Sequence, residues 1–326
     1  MNLAKKMAAL IALSGLMFSC NNDATEQTQN TTNAKALART TTPKRYLFDA
    51  TKAQTAGNAD WVICENTSGT PIRFPSPTQT SITTSTPESY WRGGISAWGV
   101  ALAAEGHYVE TLAPGAAITY GSTTNAQDLS KFDVYVIDEP NIAFTAAQKT
   151  AIINFVKNGG GLFLIADHTN SDRNNDGKDS PVIINDLFTN NSVQVNPFGL
   201  AVELTNYSQT SSNVLNDATN TILNGMAGSV TQLKYSAGAS IKVTTSANSS
   251  AKGLIWKTGL AKTSTTGIMA ASATYFNGRV FLLADSSPAD DGTGNPSDTL
   301  YAGWTEVGGN HARLHLNASY WLAKLQ

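Results

Sequence analysis

The sequence predicts a doubly wound, flavodoxin-like α/β domain with a mostly parallel sheet and a β-rich extension. Three observations carry that expectation. Apolar runs repeatedly stop on an acid and pass into a polar loop: Val134-Tyr-Val-Ile-Asp138, Leu162-Phe-Leu-Ile-Ala-Asp167 and Val280-Phe-Leu-Leu-Ala-Asp285, with Arg45-Tyr-Leu-Phe-Asp49 opening the folded part of the chain in the same way. Short continuous apolar runs bounded by turn signals are the mark of strands buried on both faces. The stretch Phe132 to Asp167 reads as strand, helix, strand, and such a unit makes its two strands parallel. From Asn191 to about Gly278 the pattern changes to short Val/Ile/Thr/Leu runs divided by Gly, Asn and Ser, which reads as strands and loops.

The elements follow in order. Met1 to Ser19 carries Lys5 and Lys6 and then the apolar run Met7 to Phe18, too short to span a bilayer and expected to be a signal peptide. Ser19-Cys20 resembles a bacterial lipoprotein cleavage and lipidation site, so Cys20 is expected to carry a lipid that anchors the chain at a membrane of the bacterial cell envelope, as an outer-membrane lipoprotein or a secreted protein. Residues 20–42, rich in Asn, Thr, Gln and Ala, bury too little to fold and read as a tether, leaving 43–326 as the folded domain with the β-rich insertion at about 191–278. Strand Tyr46 to Phe48 is followed by a loop, Thr51 to Asp60, and by the Pro/Ser/Thr-rich surface loop Thr67 to Thr86. Glu88 to Glu105 has Ile95, Trp98, Leu102 and Ala103 near helical spacing with Gly106 at the C-cap, and His107 to Leu112 reads as the second strand. Thr145-Ala-Ala-Gln148 is a capping box for a helix bearing Ile152, Ile153, Phe155 and Val156 and ending at Gly159-Gly160-Gly161. Arg279 to Ala284 is the last strand, and Asn310 to Leu325 a closing helix with Leu314, Ala318, Trp321, Leu322 and Leu325 on one face.

With 22 Lys and Arg against 24 Asp and Glu, the net charge is −2, and no basic cluster supplies the footprint of a nucleic-acid binder. With Cys20 lipidated, Cys64 is the cysteine left to the folded chain, so no intramolecular disulfide forms, and Cys64 reads as a buried small apolar residue.

In an open α/β sheet, ligands sit beyond the carboxyl ends of the strands, so the acids there are expected to converge. His168, directly after Asp167, and His311, just before the closing helix, are the candidate acid or base, with Asp167 and Asp138 beside them. Asp49, Glu139, Asn141 and Ser286 are the candidate substrate-binding residues; side-chain alternation along a strand lets only one of Asp138 and Glu139 face the crevice. Asp172-Arg-Asn174-Asn-Asp176-Gly177-Lys-Asp179 has the opening spacing of a calcium loop, oxygen ligands at alternate positions and glycine at the sixth, but Ile183 stands where a bidentate glutamate closes an EF-hand. A second acidic loop, Asp285 to Gly294, adds Asp290 and Asp291, adjacent carboxylates whose repulsion a cation would relieve. A divalent metal, Ca²⁺ first, is therefore expected across Asp172, Asn174, Asp176, Asp179, Asp285, Asp290 and Asp291. No Gly-x-Ser-x-Gly elbow occurs, and Gly159-Gly160-Gly161 precedes its strand where a phosphate-cradling loop follows one.

The blocks Phe132 to Gly199 (with Asp138-Glu139-Pro-Asn141, the Gly159-to-His168 strand, Asn185-Asp-Leu-Phe188 and Asn196-Pro-Phe-Gly199), Gly278 to Ser287 and Leu316 to Leu322 resemble class I glutamine amidotransferase-like domains, most closely the non-amidotransferase, GIFT-type branch. The resemblance implies the fold and, in several relatives, binding of sugars or proteins. The position comparable to the family's nucleophilic cysteine holds Asp167-His168, which argues against cysteine-dependent glutamine hydrolysis. The expectation is a metal-dependent hydrolase acting on an extracellular glycan or ester. The alternative is a non-catalytic, calcium-ordered module that binds a polysaccharide or protein, with Trp91, Trp98, Trp256 and Trp304 as stacking surfaces.

Overall fold

The computed structural model describes residues 42–57, 59–294 and 301–326. The signal peptide, Cys20 and the tether as far as residue 41 lie outside the described residues.

The strands are β1 (Arg45–Asp49), β2 (Tyr108–Leu112), β3 (Val134–Asp138), β4 (Gly161–Ile165), β5 (Leu200–Ser211), β6 (Asn213–Val214), β7 (Asn224–Gly225), β8 (Gly228–Ser229), β9 (Leu233–Val243), β10 (Lys252–Trp256), β11 (Ile268–Tyr275) and β12 (Gly278–Leu283). The helices are α1 (Ser96–Ala104), α2 (Ala146–Lys157), α3 (Ser180–Thr189) and α4 (His311–Leu322). A 10-stranded sheet runs β2-β1-β3-β4-β12-β11-β10-β6, with β9 joining β11 and β5 joining β9. The block β2-β1-β3-β4-β12 is parallel, and every pairing beyond β12 is antiparallel. The β-rich region thus continues the same sheet, and its β5–β9 pair branches off as a ribbon.

Helix α2 begins with the expected capping box, Thr145 accepting from the Gln148 amide and Gln148 accepting from the Thr145 amide. The expected helix from Glu88 starts later, at Ser96. A Cβ on Gly93 would lie 2.3 Å from the Val62 carbonyl oxygen, and one on Gly94 would lie 2.2 Å from that of Asp60. Two chain segments meet there too closely for a helical turn, and the Asp291 carboxylate from a distant loop caps α1 by accepting from the Ser96 hydroxyl and Ala97 amide. Helix α3, a further element, places Ile183, Ile184, Leu187 and Phe188 in the core.

Pleat and register decide which strand-end side chains share a face. Phe48, Val136, Phe163 and Phe281 are register partners across four neighbouring strands. Trp98 of α1 packs edge-on against Phe48 and Phe163, and His315 of α4 stacks on Phe163, so this is the α1/α4 side of the sheet. Because side chains alternate, the residues one step along point to the α2 side. There Tyr135 of β3 donates to Asp49, and Lys52 reaches Gln148 of α2. The four tryptophans offered as stacking surfaces, Trp91, Trp98, Trp256 and Trp304, are all buried, as is Cys64. Large aromatic rings serve the core here, which is their commoner use.

Candidate active site

Asp138 pairs in register with Ile165, and Ile165 with Leu283, so Asp167 and Asp285, each two residues further on, belong to the same face as Asp138. Their side chains approach one another behind the carboxyl edge of the sheet. Asp138, Glu139, Asp167, Asp285 and Asp290 are all buried. Glu139 is not the odd residue out that alternation requires. Its φ of 38° lies in the left-handed region, breaks the pleat at the end of β3 and brings its carboxylate in beside Asp138. A non-glycine residue in that region is strained, and such strain gathers at functional sites.

The cation of the cluster is Arg173, which in the sequence is hidden inside the candidate calcium loop. Its Nε donates to Glu139 Oε1 at 2.7 Å and its Nη2 to Asp167 Oδ2 at 3.1 Å, while the side chain stays 23 % exposed. Burial works against the guanidinium charge, but Glu139 and Asp167 outweigh it and raise the Arg173 pKa. Ser286 Oγ donates to Glu139 Oε2 (3.0 Å). Asn141 braces the arrangement from behind, its Nδ2 donating to the Glu139 carbonyl and its Oδ1 accepting from the Arg173 amide. Arg173 was detectable only through the loop: an arginine flanked by turn-forming Asp and Asn is held near the backbone that follows a strand end.

Asp138, Asp167 and Asp285 hold protons more readily than ordinary aspartates. Both carboxyl oxygens of Asp138 are buried with no hydrogen-bond partner among the described residues. Burial, then the charges of Glu139, Asp290 and Asp285, raise its pKa well above the usual range. Burial chiefly, with Glu139 and Asp285, also raises Asp167, against the pull of Arg173. Asp285 accepts from the Ser236 amide (2.5 Å) and the Ser287 amide (2.9 Å), yet burial still pushes it up to about 7.

His168 stands at the mouth, half-buried. Its Nδ1 lies 2.6 Å from the Thr169 carbonyl oxygen, which assigns the proton to that nitrogen, and Nε2 lies 3.6 Å from Asp167 Oδ2. Nε2 thus faces a carboxyl without a direct hydrogen bond to it.

Other expected site residues lie elsewhere. Asp49 sits on the α2 side by pleat parity, with its oxygens taken by Thr51, Tyr135 and Gln54. His311 is buried, Nδ1 2.7 Å from the Gly303 carbonyl oxygen and Nε2 accepting from the Lys234 amide, so neither nitrogen is left for proton transfer. Asp179 is the N-cap of α3, and Asp291 caps α1. Asp172 accepts from the amides of Asp176 and Gly177 in an exposed loop, with Asn174 Nδ2 donating to Asp176. Asp290 accepts from the Gly292 and Tyr301 amides while lying close enough to raise Asp138. Among the described residues no group of three or more His, Cys, Asp or Glu side chains is arranged to hold a metal ion. A groove of about 420 Å³ between Ile118–Tyr120 and the outer face of α2 has none of the clustered acids in its lining.

Fold and site together define a flavodoxin-like α/β protein with a cluster of buried acids at the carboxyl ends of its parallel strands. The chain is similar to the mmIFT52 N-terminal domain (15% identity, 85% of this chain and 97% of that one, TM-score 0.47). It is also similar to a cytoplasmic protein of Salmonella typhimurium (11% identity, 86% and 98%, TM-score 0.45) and to a ThuA-like protein of Parabacteroides merdae (11% identity, 87% and 91%, TM-score 0.41). No family model and no curated protein matches the chain.

Proposed function

We propose that the strand-end crevice is the acid–base site of a hydrolase acting on an extracellular substrate, a glycan or an ester. The same reading makes the chain a lipoprotein of the bacterial cell envelope, anchored through Cys20. It belongs on this reading to the non-amidotransferase, GIFT-type branch of amidotransferase-like proteins, since acids and His168 occupy the strand ends where those enzymes carry cysteine. One observation supports it above the rest: Asp138, Asp167 and Asp285 lie buried on one face of the sheet beside the Glu139–Arg173 ion pair, with Asp285 pushed up to about 7. A carboxyl that holds its proton near neutral pH is what general acid catalysis requires. Asp285 serves as the proton-bearing acid and His168 Nε2, beside Asp167, as the base at the mouth. Arg173 balances negative charge that develops on the substrate.

Ca²⁺ enters the proposal at the exposed Asp172–Asp176 loop, where it would order the segment that carries Arg173; this part is tested by thermal unfolding in EDTA and then in CaCl₂. The hydrolase is tested with p-nitrophenyl acetate and a panel of p-nitrophenyl glycosides on the full chain and its His168→Ala variant. Turnover by the wild type that falls about 100-fold in the variant, with an unchanged circular dichroism spectrum, is the expected result. Equal turnover in both proteins, or none from the wild type, overturns it.

A further inference from the structure

The β5–β9 ribbon is bent onto the crevice by a bulge. Its register slips between Glu203 and Tyr207 and again between Tyr207 and Gln209, and opposite Tyr207 stands Gly238. A Cβ on Gly238 would lie 2.6 Å from Asp285 Cβ and 2.8 Å from the Ala284 carbonyl oxygen, so only glycine lets β9 settle there, and the preceding Ala237 takes a φ of 63°. Bulges of this kind re-aim side chains beside active sites. The ribbon reaches both functional ends of the crevice: Ser236 donates its amide to Asp285, and the Asn206 side-chain amide lies beside the His168 ring, 3.3 Å from Nδ1.

Two tyrosines hang from this ribbon with rings 5.8 Å apart. The Tyr235 hydroxyl is fully used, donating to the Met269 carbonyl and accepting from the Ala284 amide. The Tyr207 hydroxyl is buried and has no hydrogen-bond partner among the described residues, as is also true of Asp138 and of Ser171 Oγ in the loop between His168 and Arg173. Burial first, then Asp285 and Glu203, raise the Tyr207 pKa, which keeps the phenol a donor, and its register partner Gly238 lies against Asp285. A polar atom taken out of water without a partner is a standing cost, and such a group inside a site calls for a ligand to complete it.

We infer that Tyr207 is a substrate-contacting residue of this crevice, donating its hydroxyl to an uncharged oxygen of the ligand (a hydroxyl, ether or ester oxygen) beside Asp285. The inference rests on the hydrolase reading for the identity of the site. The glycan or ester of that reading offers such uncharged oxygens, and with Glu203 on one side and Lys257 Nζ 4.0 Å from the ring centroid the phenol has charge of both signs around it.

The experiment compares the full chain with its Tyr207→Phe variant in two measurements. In thermal unfolding, removing an unpartnered buried hydroxyl leaves the midpoint unchanged or raises it by about 1–4 °C, because no protein hydrogen bond is lost. A fall of that size shows a structural hydroxyl and overturns the inference. In the second measurement, calorimetric binding and turnover of p-nitrophenyl acetate and p-nitrophenyl glycosides are expected to weaken at least about tenfold in Tyr207→Phe, the loss appearing in KM when the contact is uniform and in kcat when it is made in the transition state. Unchanged turnover in the variant overturns the inference and leaves the hydrolase reading standing. Binding that depends on Tyr207 without wild-type turnover does the reverse. Absence of both binding and turnover overturns both.

Discussion

Two buried glutamates, one inside the parallel strand β2 and one just past the end of β3, have been given opposite treatment. Glu110 in β2 accepts from Arg45 at 3.1 Å, from Arg73 at 2.9 Å and from Gln127 at 3.0 Å, so one carboxylate faces two guanidinium groups and an amide. Glu139 after β3 shares a single arginine with Asp167, and Asp138, Asp285 and Asp290 crowd the same space. The first arrangement is electrostatically closed and holds the fold. The second is short of cations, and the shortage is relieved by keeping protons on its acids. A stability-driven interior favours the first solution, and the proposed hydrolase site is the second.

The largest predicted effect follows from that imbalance. Arg173→Gln removes the cation that Glu139 and Asp167 share and leaves buried carboxylates facing one another, a loss of about 3–5 kcal/mol in urea unfolding. Arg45→Gln, on a residue whose side chain is 45% exposed, leaves Arg73 in place on Glu110 and costs about 0.5–1 kcal/mol. Equal losses would dissolve the distinction. Asp138→Leu has the opposite sign: replacing an unpartnered buried acid by an apolar side chain of similar length stabilises the fold by about 1–3 kcal/mol while turnover is lost.

The pH dependence sharpens the comparison at a third place, the opposite end of the sheet. Asp285 has a folded pKa of about 7, raised from an ordinary 3.8, so between those values the folded state binds more protons and stability falls as pH rises. Glu105, raised by burial to about 7 against the hydrogen bond from Tyr320, has the same sign. Its neighbour His107 is lowered by burial to about 4, so its contribution is present at neutral pH and is lost as pH falls from 6.5 toward 4. Glu105 and His107 therefore offset each other, whereas Asp285, Asp138 and Asp167 all push one way. Stability is expected to rise as pH drops from about 7 to 5, by up to about 1.4 kcal/mol per pH unit for each proton taken up, and Asp285→Asn should flatten that slope more than a double Glu105→Gln, His107→Gln variant.

Much of this was legible in the chain. The acid-ended apolar runs, the Thr145 capping box and the glycine stop after α2 depend on local chemistry, and each forms where the pattern says. The convergence of Asp138, Asp167 and Asp285 follows from register: Asp167 and Asp285 lie two residues beyond the partners of Asp138, an even step that keeps the face. What escaped detection was non-local. Asp49 looks like the other strand-end acids but falls one residue out of step, which in a pleated strand is the wrong face. His311 is consumed by backbone groups of Lys234 and Gly303, and Glu139 escapes alternation through a left-handed φ, neither of which leaves a mark in sequence. Arg173 and Tyr207 lie in segments that composition marks only as loop and edge strand.

The smallest predicted effect concerns the Asp172 loop, which already closes on its own amides. Ca²⁺ at about ten times its dissociation constant should add about 1.4 kcal/mol, a rise of about 2–4 °C in the unfolding midpoint that disappears in Asp172→Ala.

The central claim is that Glu139 serves the chemistry by holding Arg173 in the site, and that Glu110 serves the fold. The direct measurement is turnover per folded molecule of p-nitrophenyl acetate and p-nitrophenyl glycosides by Glu139→Gln and Glu110→Gln, with folded fraction read by circular dichroism. The account predicts a loss of about 100-fold or more in Glu139→Gln with the fold retained, and in Glu110→Gln a lowered unfolding midpoint with turnover per folded molecule unchanged. Turnover that survives in Glu139→Gln, or falls equally in both, contradicts it.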